Sequence, residues 1–79
     1  MPESDIRLIL RDMMWERDAE LDGWKPSYSH RKCPEYTVLA YCPRHQEYVV
    51  WQANIDTGWV GDGYYTSDAD DARLVYLAR

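Results

Sequence analysis

YTVLAYCPRHQEYVVWQANIDTGWVGDGYY, residues 36–65, is the stretch from which the fold is read. Tyr36–Cys42 is apolar and rich in β-favouring side chains, which predicts a strand. Pro43, Arg44, His45 and Gln46 read as a turn. Glu47–Ala53 predicts a second strand centred on Val49, Val50 and Trp51. Both strands are apolar at successive positions, so both faces of their sheet are expected to be covered. Asn54, Ile55, Asp56, Thr57 and Gly58 read as a hairpin loop with Gly58 in the left-handed position. Trp59–Tyr65 is a third strand, weakened by Gly61 and Gly63.

Working outward, both flanks predict helices. Ile6, Ile9, Leu10, Met13 and Met14 recur at helical spacing, and Leu21 extends that face, so a helix is expected near residues 4–21. Ser4 is its expected N-cap and Gly23 its expected stop. Asp5, Asp12, Glu16 and Glu20 form an acidic stripe beside the apolar face. Leu8 and Trp15 lie off it, as a second packing surface or an exposed patch. Residues 22–35 read as loop, punctuated by Gly23, Pro26, Ser27, Ser29 and Pro34. On the other flank Ser67 is expected to cap a helix over 67–78, with Asp70 completing a capping-box-like pair. Ala69, Ala72, Val75 and Tyr76 give that helix a packing face. The expected class is therefore α+β: one domain over residues 1–79, in the order α-β-β-β-α. Its three-stranded antiparallel sheet runs in chain order and is flanked by helices. Trp51, Val49, Val38, Leu39, Ile9 and Leu10 are the expected core.

With 79 residues the chain holds one small domain and a modest core. Trp and Tyr supply its bulk and Phe is absent. Their polar tips suit them to the boundary between core and water, and to interfaces. The net charge of −5 argues against nucleic acid and anionic membrane as direct partners, because both require a basic footprint. Charge is also unevenly placed. Lys25, Arg31, Lys32 and Arg44 stand against Glu35 alone in the middle of the chain. Between His45 and Ala72 stand Glu47, Asp56, Asp62, Asp68, Asp70 and Asp71, with no Lys or Arg. A stretch of one sign builds a negative field that recruits a basic partner. The bland alternative is a solvated face that keeps a small protein soluble. Trp51, Trp59, Tyr64 and Tyr65 within the stretch favour an interface, since aromatics ringed by charge are the usual make-up of a hot spot. No secretory signal core and no membrane-length segment is read, so a cytoplasmic location is expected.

No motif points to catalysis, so an enzyme is not expected and no catalytic residue is assigned. Asp56-Thr57-Gly58 spells the aspartic-protease triplet, but between two strands it reads as turn chemistry. Cys42 and His45 lack a third group to orient them as nucleophile and base. Asp68, Asp70 and Asp71 read as helix capping rather than a calcium loop. His30, Cys33, Cys42 and His45 have the composition of a zinc site. A strand over Tyr36–Cys42 opposes it, holding Cys33 and Cys42 up to ~30 Å apart at about 3.3 Å per residue. No cofactor is expected.

A small, acidic, aromatic-rich α+β chain of this kind resembles the inhibitors that phages and mobile elements direct against host defences. Among these it is most similar to the anti-CRISPR proteins. The resemblance covers Tyr36 to Arg79 and rests on size, charge and organisation. It implies a non-enzymatic protein, a monomer in a bacterial cytoplasm. Such a protein would block DNA binding by a CRISPR–Cas effector subunit through DNA-mimicking or steric contact. The expected contact residues are Asp5, Asp12, Glu16, Glu20, Asp56, Trp59, Asp62, Tyr64, Asp68 and Asp71. A zinc-binding adaptor and a toxin-neutralising regulatory protein are the alternatives.

Overall fold

The computed structural model describes residues 2–12, 19–27 and 35–79. Its elements are α1 (Pro2–Asp12), β1 (Glu20–Pro26), β2 (Glu35–Cys42), β3 (Glu47–Asn54), β4 (Trp59–Thr66) and α2 (Ala69–Ala78). The class is α+β, as expected, and the strands pair antiparallel in the order β1-β2-β3-β4. The sheet thus has four strands where the sequence predicts three.

The extra strand replaces a helix end and a loop. Glu20 and Leu21 belong to β1, which corrects a helix reaching Leu21. Gly23 lies inside the strand, opposite Leu39, and is not a helix stop. An irregularity in pairing between Leu21 and Gly23 explains the misreading. It lets Leu21 and Trp24, three residues apart, both pack against the core beneath α1. Three is a helical spacing, so the β-bulge disguises the strand. The predicted helical positions Met13, Met14, Trp15 and Glu16 lie outside the described residues, as do residues 28–34.

The central pair follows expectation. Val38 faces Trp51, and Ala40 faces Val49, in unbroken register across β2 and β3. In the turn between them, His45 N–H donates to Cys42 O (3.2 Å) and Gln46 N–H to Pro43 O (3.2 Å). The second hairpin loop is held by Asn54, whose side-chain oxygen accepts from the N–H of Asp56 (2.9 Å) and Thr57 (3.1 Å). Gly58 takes φ 75° and donates its N–H to Asn54 O at 2.8 Å. The Asp-Thr-Gly triplet is therefore part of the turn.

Each face of the sheet is covered by one helix. Ile6 and Leu10 of α1 pack on Val38, Ala40, Val49, Trp51 and Ala53. Ala72 of α2 packs with Leu39 and Val50 on the opposite face, supported by Tyr48, Val75 and Tyr76. Ile6, rather than the expected Ile9, is the buried isoleucine of α1, and Ile9 is half-buried. The other expected core residues are buried. Ser4 lies inside α1, which begins at Pro2, a residue suited to a first turn because it has no N–H to leave unpaired. The N-cap of α2 is Asp68, not Ser67. Its carboxylate accepts from the N–H of Asp70 (2.9 Å) and Asp71 (3.3 Å), so the cap shifts one residue along the chain.

Candidate interaction surface along strand β4

β4 is an edge strand of the sheet and carries the expected contact residues Trp59, Asp62 and Tyr64, with Asp56 in the loop before it and Asp68 and Asp71 at the helix start after it. Trp59 opens it, pairs with Asn54, and remains 48% exposed. Its ring lies over Gly61, where an added Cβ would come within 2.4 Å of the indole. Gly61 thus makes room for a tryptophan that rests on the backbone while its outer face meets water. Asp62 follows with φ 55°, a left-handed conformation that Asp tolerates better than most residues. It sits where the β3–β4 register shifts, between the partners of Val50 and Gln52. Past this irregularity, pairing resumes with Tyr64 opposite Val50 and Tyr65 opposite Val49.

Successive residues of a strand point to opposite faces. Tyr64 therefore lies on the α2 side and Tyr65 on the α1 side, and both stay exposed. Each has a specific partner. The Tyr64 hydroxyl donates to Asp71 Oδ2 at 2.7 Å. That bond, with the nearby charges of Asp71 and Asp68, holds the Tyr64 phenol above its ordinary pKa. The Tyr65 hydroxyl accepts from Trp51 Nε1 at 3.3 Å, and the two rings meet edge to face. Asp56 is exposed in the hairpin loop, Asp68 and Asp70 at the start of α2 are exposed, and Asp71 is half-buried.

The remaining expected contacts lie elsewhere. Glu20 is on β1, opposite Tyr41, so it does not extend a helical stripe. Asp5 is half-buried on α1. Asp12 ends α1, and its side chain, like Glu16, is outside the described residues. β1 and β4 are opposite edges, about 14 Å apart at ~4.8 Å per strand spacing. The structure thus gathers Asp56, Trp59, Asp62, Tyr64, Asp68 and Asp71 along one edge and sets Glu20 on the other.

Some features of this surface were not foreseen from sequence. Arg79 enters the base-free region from the end of α2: its Nη1 donates to Asp62 O (2.7 Å) and Val50 O (3.4 Å). This cation offsets part of the acidic field and ties the helix end to β4. Beside it, Gln52 accepts from Thr37 Oγ1 and donates to Ser27 Oγ, both at 3.0 Å, in a buried polar chain. Ser27, Gln52, Asp62, Gly63 and Arg79 line an open cleft of about 550 Å³. Leu74 and Leu77, one turn apart on α2, are 68% and 63% exposed.

Among the described residues no three His, Cys, Asp or Glu side chains converge. Cys42 is buried at the end of β2 and His45 is exposed in the turn, while His30 and Cys33 lie outside the described residues. No helix among the described residues is long and apolar enough to cross a membrane. No known protein family matches the chain, and no curated protein or solved structure is significantly similar to it.

Proposed function

We propose that the chain is a non-enzymatic inhibitor that acts in a bacterial cytoplasm. It binds a basic surface of a host-defence complex, a CRISPR–Cas effector, and blocks DNA binding by that complex. One observation carries this reading: the β4 edge offers exposed Trp59, Tyr64 and Tyr65 among Asp56, Asp62, Asp68 and Asp70. No Lys or Arg lies between His45 and Ala72 in the sequence, and Arg79, arriving from the end of α2, offsets only part of their charge. Desolvated aromatics supply the affinity of such a contact, and the carboxylates supply attraction and orientation. The exposed Leu74 and Leu77, with the Arg79 guanidinium behind Asp62, favour an ordinary protein contact over a pure imitation of phosphates.

The test is competition for target DNA across a panel of purified CRISPR–Cas effectors. The protein should prevent DNA binding by at least one of them, and more strongly at low salt. Neutralising Asp56, Asp62 and Asp70 together to Asn should weaken inhibition by about tenfold, at ~0.2–1 kcal/mol for each exposed pair lost. Asn is chosen because it tolerates the left-handed backbone of Asp62. Inhibition of no effector, or inhibition indifferent to salt and to these variants, removes the reading.

A further inference from the structure

The two edges of the sheet are unequal. β1 ends in Pro26, which has no N–H to offer a neighbour. Trp24 Nε1 on that strand is drawn to Glu3 (3.2 Å), and Lys25 Nζ reaches Leu77 O (3.3 Å). β4 contains no proline, and among the described residues no strand lies beyond it. An edge strand presents outward-facing N–H and C=O groups along its length, and these can template another strand. The bulge at Asp62 interrupts that template, but Tyr64, Tyr65 and Thr66 beyond it pair regularly with Val50, Val49 and Tyr48. This regular end is flanked by exposed rings on both faces, Tyr64 on one and Tyr65 on the other. Exposed Asp62 stands before it and Asp68 and Asp70 after it.

We infer that the partner engages β4 by adding an extended, basic segment as a fifth strand beside Tyr64–Thr66. This rests on the reading above that the partner is basic, and it specifies how that partner is held. Main-chain hydrogen bonds to this edge, which no other described strand pairs with, provide attachment. Lys or Arg side chains of the added strand lay their methylene stems and cationic heads on the two tyrosine rings. They end against Asp62, Asp68 and Asp70. An acidic or neutral strand would meet like charge or gain nothing from these groups.

The probe is a nine-residue peptide of paired Lys and paired Thr (KKTTKKTTK) with blocked ends, which puts lysines on both faces of an added strand, titrated into the isotopically labelled full chain. A second peptide has the same sequence with its five central backbone nitrogens methylated, which keeps the charge and removes the strand hydrogen bonds. The unmodified peptide should shift the amide resonances of Gly63–Thr66 and slow their hydrogen exchange. The methylated peptide should bind at least tenfold more weakly. Equal binding of the two would overturn strand addition and leave a purely electrostatic basic-partner contact standing. Binding of neither would also overturn the inference. The effector competition, which uses no peptide, then judges the inhibitor reading separately.

Discussion

Asp62, Asp68 and Asp71 are alike in charge and different in the work each does for the fold. Asp68 caps α2, Asp71 accepts the Tyr64 hydroxyl, and Asp62 occupies a left-handed position. Reversing all three to Lys would therefore disturb a cap, a hydrogen bond and a turn of the backbone together with the field. Asp68→Ala should cost about 1 kcal/mol in denaturant unfolding, as loss of an N-cap does. Asp56→Asn, in the exposed loop, should change stability by less than about 0.5 kcal/mol. The Tyr64 phenol offers a second residue-scale measurement. Its pKa is raised in the folded state, so what it adds to stability is complete below the ordinary tyrosine value of 10.0. That contribution disappears as pH rises through the folded value. Burial also raises the Tyr76 phenol, so ultraviolet titration should show late-ionising tyrosines at Tyr64 and Tyr76; Tyr64→Phe should remove one of them, and Asp71→Ala should shift that one to lower pH.

At the scale of elements, β2, β3, both turns after β2 and the α2 packing face were legible in the sequence. Their signals are local: paired apolar runs, an Asn-x-Asp-Thr-Gly loop, and small or apolar residues at helical spacing. β1 was not legible, because Gly23, Pro26 and Ser27 read as loop and the bulge converts its strand spacing to three. Tertiary pairing with β2 overrides that weak local preference. The grouping of surface residues was half legible. The composition of residues 46–71 marks the β4 edge, but only strand order reveals that Glu20 is on the far side. Arg79 was hidden because its approach to Asp62 spans 17 residues of chain. The contact between α1 and β1 makes its own prediction. Glu3 accepts from Trp24 Nε1 and from Arg7, and both lower its pKa, the tryptophan bond more. A depressed carboxylate stabilises above its unfolded value and stops doing so as pH falls through its folded value. Acid should therefore loosen α1 from β1 before the sheet unfolds. The Trp24 indole N–H resonance should move in that range, and should not in Glu3→Gln.

Across the whole molecule, the described core is one sheet clasped between two short helices, and Trp51 is the largest fully buried side chain among the described residues. Trp51→Ala should cost about 3–5 kcal/mol in chemical denaturation, a large share of the stability of a domain this small. Trp59→Ala removes an exposed ring from the other end of the same hairpin. It should leave the unfolding midpoint nearly unchanged while speeding dissociation from a bound effector. If Trp59 is an interface anchor, the loss in affinity is ~2 kcal/mol or more. The pair of variants separates aromatic residues that build the fold from those that face outward.

The hydrogen bond from the Trp51 indole to the Tyr65 hydroxyl joins a ring buried in the core to one on the rim. It makes the molecule its own gauge. Anything that grips Tyr65 changes the electrical surroundings of a buried chromophore. Occupancy of the rim can then be followed label-free, through the emission of Trp51 and the resonance of its indole proton. Tyr65→Phe would silence that signal and leave the ring in place.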